Sequence, residues 1–359
     1  MKSAEIYIGN TAIGLQHPTY FIADIAANWD GDLDRAKELI YMCAKAGANA
    51  AKFQNFQAKT IVSDYGFRQL SGDGRISHQA SWKKSVFEVY KQASLPIEWT
   101  AELKETCEKA GVDYFTTPYD PAQVSTLSNY VAAWKLGSGD ITWHSFIELL
   151  AKDNKPLLIA SGASSMSEVR IAMEAALRHT QKLVLMQCNT NYTASLDNFN
   201  HIHLNVLKTF SRVFPGVVLG LSDHTPGHAT VLGAVTLGAR VVEKHFTDDN
   251  FREGPDHKFS MTPATWQEMV DRTRELEKSL GSEDKTLAEN EQQSVLVQRR
   301  AVRANKDLPP GHCVASSDLI MLRPIPADGV PPYQAEQLVG KTLNRYVPEG
   351  DCIRFADLS

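Results

Sequence analysis

No stretch of this sequence reaches the roughly 18 consecutive apolar residues that a membrane-crossing helix needs, so a transmembrane segment is not expected. The first residues, MKSAEIYIGN, lack an apolar core and a small-residue cleavage site, so neither is a secretion signal. Cysteine is sparse. The five residues (Cys43, Cys107, Cys188, Cys313 and Cys352) are odd in number and have no CxxC spacing. They read as reduced thiols of a cytoplasmic protein rather than a disulfide framework or a zinc site. Positive charge is not in excess either: Lys+Arg 37 against Asp+Glu 42 gives −5. That excludes the global electrostatic footprint of a nucleic-acid binder and leaves room only for a local basic pocket holding a small anion. What the chain does have is an ordinary globular balance, 43% hydrophobic and 22% charged. Its 359 residues suit two or three domains of ~150 residues, or one large barrel with an appendage.

Short β-rich runs alternate with amphipathic segments between residues 19 and 281. The strand candidates are Tyr20–Ile25, Ala48–Phe53, Asp113–Thr116, Ala132–Leu136, Pro156–Ala160, Leu183–Gln187, Val217–Leu221 and Arg240–His245. Helices between them carry start and stop signals: Asp32 before Ala36, Leu39, Ile40 and Cys43 with Gly47 after, Pro96 and Gly111 around another, the Ser165-x-x-Glu168 capping box, and Thr262-Pro263. Eight strand–helix units in this length predict an α/β fold, a (β/α)8 TIM barrel, with a doubly wound open sheet as the alternative. Asn55 to Leu95 form a long aromatic-rich excursion after the second strand, as lids and partner surfaces do. We expect residues 1–280 to form the barrel domain with an N-terminal hairpin, 281–298 a polar linker, and 299–359 a small terminal domain. That last unit repeats itself weakly. Leu308-Pro-Pro-Gly-His-Cys-Val and Asp318-Leu319 recur as Val347-Pro-Glu-Gly-Asp-Cys-Ile and Asp357-Leu358, each copy reading as a turn and a short strand.

Barrel chemistry sits at the C-terminal ends of strands. Those ends offer Asp24, Lys52 with Gln54, Thr116-Thr117, Lys135 with Ser138, Ser161, Asn189-Thr190, Ser222-Asp223-His224, and His245. Two lysines and several hydroxyls converging there predict a cationic cup for phosphate and carboxylate. His224 and His245 end consecutive strands, where two imidazoles can share a divalent ion or hydrogen-bond as a structural pair. The residues leave both readings open. His201-x-His203 opens a predicted helix, where i,i+2 side chains diverge, and reads as surface. Gly254-Pro255-Asp256-His257 is a turn that either projects an acid over the barrel mouth or faces solvent.

These residues fall into motifs: Ala51-Lys52-Phe53-Gln54, Phe115-Thr116-Thr117-Pro118, Lys135-Leu136-Gly137-Ser138-Gly139-Asp140, Gly220-Leu221-Ser222-Asp223-His224-Thr225, Glu243-Lys244-His245-Phe246-Thr247 and Gly254-Pro255-Asp256-His257. In that order they resemble the sialic acid synthase family, which includes legionaminic and pseudaminic acid synthases and joins phosphoenolpyruvate to a hexosamine. Residues 299–359, with Arg299-Arg300 and Leu322-Arg323-Pro324, resemble the family's antifreeze-like (SAF, β-clip type) domain. The resemblance implies a condensing transferase of sialic acid biosynthesis, cytoplasmic and built as a domain-swapped homodimer. It implies that Lys52, Lys135, Ser138 and Ser222 hold phosphoenolpyruvate, with Thr190 near its phosphate and Thr117 lining the site. It further implies that His224 and His245 bind a divalent metal, manganese first and magnesium or cobalt as alternatives. Gln54, Tyr192 and Asp256 would then face the aldose acceptor, and Arg323 would reach a partner's site. The first strand departs from the family's Glu-x-x-x-Asn-His, reading Asp24 with Asn28-Trp29, and Ala160 stands where some relatives carry a phosphate-binding serine that Ser161 would partly replace. Asp24 becomes the candidate for proton handling or for orienting the acceptor. The acceptor is then an N-acetylmannosamine-like sugar or a 2,4-diacetamido-2,4,6-trideoxyhexose. A non-catalytic sugar or phosphate binder and an ice- or polymer-binding protein are the readings from other classes.

Overall fold

Strand runs and amphipathic segments of the first 281 residues close, in the computed structural model, into one barrel. The structure describes residues 4–70, 79, 82 and 84–359. A hairpin of β1 (Glu5–Ile8) and β2 (Thr11–Gly14) comes first. Then follow β3 (Tyr20–Asp24), α1 (Leu33–Lys45), β4 (Ala50–Asn55), α2 (Ala58–Ile61), α3 (Asp64–Gln69), α4 (Val86–Gln92) and α5 (Thr100–Ala110). Next come β5 (Asp113–Pro118), α6 (Val124–Leu127), β6 (Trp134–Leu136), α7 (His144–Ala151), β7 (Leu157–Ala160) and α8 (Met166–Leu177). The barrel ends with β8 (Leu183–Cys188), α9 (Val206–Val213), β9 (Val218–Asp223), α10 (Ala229–Thr236), β10 (Ala239–His245) and α11 (Pro263–Leu280). Strands β3 to β10 pair in chain order, and β10 returns to β3 in parallel register with His245 opposite Asp24. This is the (β/α)8 barrel rather than the open sheet, and closure leaves no edge strand.

Local chemistry explains the helices. The Asp32 side chain accepts from the Asp34 and Arg35 amides and starts α1, whose buried face is Ala36, Leu39, Ile40 and Cys43. Ser165 and Glu168 form the reciprocal capping box of α8. Alternation along the strands separates two apolar layers. Tyr20, Ile22, Ala50, Phe115, Val184 and Val241 fill the barrel interior, where the hairpin's Ile6, Ile8 and Ile13 join them. Phe21, Ala51, Phe53, Tyr114, Leu185 and Val242 instead pack outward among the helices. His201 and His203 do not open a helix: His203 sits at φ 49, in the left-handed region, and α9 starts only at Val206.

The second unit, Ser282–Ser359, begins with the segment expected as a linker, which carries a helix, α12 (Gln292–Gln298). The pair β11 (Ala301–Ala304) and β12 (Leu319–Leu322) follows. The weak repeat is structural. Leu308 and Val347 exchange both backbone hydrogen bonds at 2.9 Å, so the two copies meet at their matching residues. Asn305 and Asn344 donate to the Asp318 and Asp357 carbonyls, while Lys306 and Arg345 pair with those same two aspartates at 2.8 and 2.6 Å. In place of the short strand expected after each turn there are single bridges, Cys313–Thr342 and Arg303–Cys352. All five cysteines are free, and only Cys313 is exposed. Among the described residues no helix is long and apolar enough to cross a membrane.

Candidate active site

Inward-facing positions at the C-terminal end of the barrel gather the strand-end residues. Asp24 and Lys52 are buried and lie 2.6 Å apart, Oδ2 to Nζ. Gln54 Nε2 donates to the same carboxylate oxygen at 3.1 Å, and the Ala26 amide donates to Oδ1 at 3.1 Å. Lys52 also donates to Thr117 Oγ1 at 3.3 Å. Across the cup Lys135 Nζ stands 3.3 Å from Glu243 Oε1, which Ser222 Oγ also reaches at 3.3 Å and Lys52 at 3.9 Å. Burial works against the Lys52 ammonium, but the Asp24 and Glu243 charges outweigh it and raise its pKa.

Glu243 is the functional residue that the sequence reading missed. It sits two positions before His245, so strand alternation puts it on the same inward face. Its presence changes the electrostatics. Both lysines are matched by carboxylates, so the cup is not the cationic one expected from the lysines alone. Charge cancels among Lys52, Lys135, Asp24 and Glu243.

His224 and His245 come together, with ring centroids 5.4 Å apart. His224 Nδ1 lies 2.8 Å from the Asn189 carbonyl, which can only accept, so Nδ1 carries the proton and Nε2 keeps its lone pair. His245 Nδ1 is buried without a hydrogen-bond partner, and Nε2 is 3.6 Å from Asp24 Oδ2. Burial lowers both pKa values, His245 further because His224 and Lys52 add their charge. Two neutral imidazoles with uncommitted nitrogens fit a divalent ion. Among the described residues no group of three or more His, Cys, Asp or Glu side chains is arranged to hold one, so its other ligands would be water or substrate oxygens. Tyr192 packs beside the pair, its ring 4.4 Å from that of His224, and Phe259 closes the other side at 4.9 Å from His245.

Ser138, Cys188 and Thr190 converge on Gly162. A Cβ there would lie 2.5 Å from Thr190 Cγ2, 2.8 Å from Ser138 Oγ and 3.2 Å from Cys188 Sγ, and the Gly162 amide donates to Ser138 Oγ at 3.0 Å. The Gly162 amide is taken by Ser138, whose own hydroxyl hydrogen is left to donate, and Thr190 turns its methyl toward Gly162. Ser161 turns its hydroxyl onto the Met186 carbonyl at 2.9 Å. Asp256 leans over the mouth, where the Ala27 amide donates to Oδ2 at 3.3 Å. Burial and the Asp24 charge push its carboxyl up to about 6. Trp29 is buried against Trp99, with rings 5.4 Å apart, and so serves packing where the family motif has histidine. Arg323, exposed at the end of β12, has no ion-pair partner among the described residues.

Asp223 and Lys244, the remaining charged residues of the two histidine motifs, point outward. They pair in the buried layer, and Thr225 and Thr230 each donate to Asp223 Oδ2 at 2.8 Å. The pair therefore braces β9 against β10 behind the histidines. Thr230→Val should lower stability by about 1.5 kcal/mol, the worth of a hydrogen bond to a charged group, read as a lower denaturant midpoint at unchanged slope.

Comparisons with known proteins bear on the family and the fold. The NeuB family model matches residues 39–285 and the SAF domain model residues 299–359. An uncharacterized protein of Methanocaldococcus jannaschii is 32% identical over 99% of this chain and 98% of its own. The N,N'-diacetyllegionaminic acid synthase of Legionella pneumophila is 32% identical over 92% of both chains. Among solved structures, the N-acetylneuraminic acid synthetase of Leptospira borgpetersenii superposes with a TM-score of 0.70 at 27% identity, covering 82% of this chain and 95% of that one. The chain belongs to the NeuB family and carries a SAF domain at its C-terminal end.

Proposed function

We propose that this protein condenses phosphoenolpyruvate with the open-chain aldehyde of an N-acetylmannosamine-like sugar, giving a nine-carbon 2-keto-3-deoxy acid and phosphate. The observation that carries the reading is the buried cup itself, two lysine–carboxylate pairs beside two histidines with uncommitted nitrogens. C3 of phosphoenolpyruvate attacks the aldehyde carbon, water adds at C2, and cleavage of the C2–O bond releases phosphate. Lys135, Ser138, Ser222 and Thr190 hold the phosphoenolpyruvate anion, with the Gly162 amide beside them, and Lys52 binds where it also fixes Asp24. Asp24, whose Oδ2 accepts from Lys52 and Gln54, takes a proton from the entering water in this reading. Gln54, Tyr192 and Asp256 orient the sugar, and the aromatic wall of Tyr192 and Phe259 excludes solvent. A divalent ion on His224 and His245, manganese or else magnesium or cobalt, would polarise the aldehyde as a Lewis acid and add the positive charge that the paired lysines lack.

A 2,4-diacetamido-2,4,6-trideoxyhexose is the second acceptor class, supported by the Legionella relative's name. Phosphate release is measured with phosphoenolpyruvate, manganese and a panel holding both sugar classes. Release with one class assigns the acceptor. No release with any sugar would leave a non-catalytic binder.

The reading extends to a homodimer in which Arg323 of one chain serves the other chain's barrel. Its planar, permanently charged guanidinium suits a fixed contact to the sugar's N-acyl oxygen. Arg323→Ala and Lys135→Met proteins, each poorly active, should regain partial activity when mixed under conditions where subunit exchange is verified. Verified exchange without recovery would confine Arg323 to its own chain or to no role.

A further inference from the structure

The catalytic face holds a second polar assembly that the proposed chemistry does not use. It joins the loop after β3, residues 25–32, to the loop after β10, residues 246–262, which carries Asp256. At its centre His257 is fully buried. His257 Nε2 lies 2.9 Å from Asp30 Oδ1, and a carboxylate only accepts, so Nε2 carries the proton. Nδ1 is then the acceptor for the Thr247 hydroxyl, 2.7 Å away. The second Asp30 oxygen accepts from Arg252 Nε at 2.9 Å and lies 3.1 Å from Arg35 Nε, while Arg35 grips Asp248 with both Nη atoms at 2.7 and 2.6 Å. Asp30 adopts φ 53, and a Cβ on Gly254 would stand 2.5 Å from His257 Cδ2. Left-handed backbone and so close a pass persist only where surrounding contacts impose them.

The ends of the later loop are held without this pair. Asn28 Nδ2 donates to the Phe246 carbonyl and to Ser260 Oγ, both at 2.9 Å, and Arg35 holds Asp248. Within the loop, Asn250 Nδ2 donates to the His257 carbonyl at 2.7 Å and Ser260 Oγ to the Asp256 carbonyl at 2.6 Å. What Asp30 and His257 add is a side-chain tie between the middle of that loop, beside Asp256, and the loop after β3. We infer that Asp30 and His257 are positioning residues for the acceptor sugar: they fix the middle of the 246–262 loop so that the Asp256 carboxylate stays against the Ala27 amide and faces the sugar. This rests on the proposed role of Asp256 toward the acceptor.

Asp30→Ala removes the acceptor of His257 and Arg252, while Asp30→Asn keeps an oxygen for His257. In the full-length protein, Asp30→Ala should speed amide hydrogen exchange across residues 249–259 by about tenfold and leave the barrel strands unchanged, with Asp30→Asn near wild type. Kinetically, Asp30→Ala should raise the acceptor KM by about tenfold with the phosphoenolpyruvate KM unchanged, and Asp30→Asn should restore it. Unchanged loop exchange, an equal rise in both KM values, or an asparagine variant that behaves like alanine would each overturn the inference. If Asp30→Ala does not fold, Arg252→Ala, at the half-exposed end of the assembly, should give the same pattern at a few-fold amplitude, and its absence overturns the inference equally. A wild-type protein that releases no phosphate would refute the proposed reaction, while the exchange measurement still decides whether Asp30 holds the loop.

Discussion

His245→Ala should abolish phosphate release, a loss of about 1,000-fold or more, and should lower bound manganese in equilibrium dialysis. The expectation follows from what His245 touches. Its ring sits between the Asp24 carboxylate, 3.6 Å away, and the His224 ring, with a buried Nδ1 that no protein group satisfies. A buried polar atom without a partner is costly, so such a nitrogen marks a place where a ligand belongs. Alanine leaves His224 as a single imidazole, too few fixed donors for an ion of this class. His203→Ala is the control. His203 is exposed on a loop at positive φ and should change neither readout. Full turnover by chelator-treated protein without added metal would refute the metal assignment, whatever His245→Ala does.

The barrel was legible because its strands are short, aliphatic and punctuated, and the same alternation that buries Tyr20 and Ile22 also turns Asp24 inward. Lysines and histidines at strand ends stood out because such residues are rare after apolar runs. Glu243 escaped notice for a physical reason: a carboxylate in a charged motif reads as solvated, and only the pairing of β10 with β9 opposes it to Ser222 and brings it to Lys135. Asp223 was placed among the strand-end residues by proximity in sequence, yet a period of two sends it to the other face, where it pairs with Lys244. Trp29 stood out as a departure from the family motif, whereas its environment is an edge-to-face contact with Trp99. The Asp30–His257 contact spans 227 residues and leaves no local pattern at all. Tyr90 is similar: it reaches the neighbourhood of Asp256 only because the excursion after β4 folds back, setting its ring at a tilt against Phe56 at 5.3 Å. Part of that excursion lies outside the described residues.

Lys135→Met should impair phosphoenolpyruvate use by roughly 30- to 1,000-fold in kcat/KM, on the order of 2–4 kcal/mol, and should change the acceptor KM little. Two effects contribute, and they can be separated. One is the lost ammonium contact to the substrate anion. The other is indirect: Glu243, buried and 3.3 Å from Lys135, keeps only Lys52 at 3.9 Å as a cation, so the cup gains net negative charge. That charge repels an anionic substrate, and an unpaired buried carboxylate also lowers stability. A Lys135→Met/Glu243→Gln double variant restores the balance without restoring the ammonium. If repulsion is the whole effect, the double variant recovers phosphoenolpyruvate affinity. If Lys135 grips the substrate, the double variant regains thermal stability but stays impaired, which is the expected result because Ser138, Thr190 and the Gly162 amide supply no positive charge of their own. An unchanged phosphoenolpyruvate KM and kcat in the single variant would remove Lys135 from the substrate site.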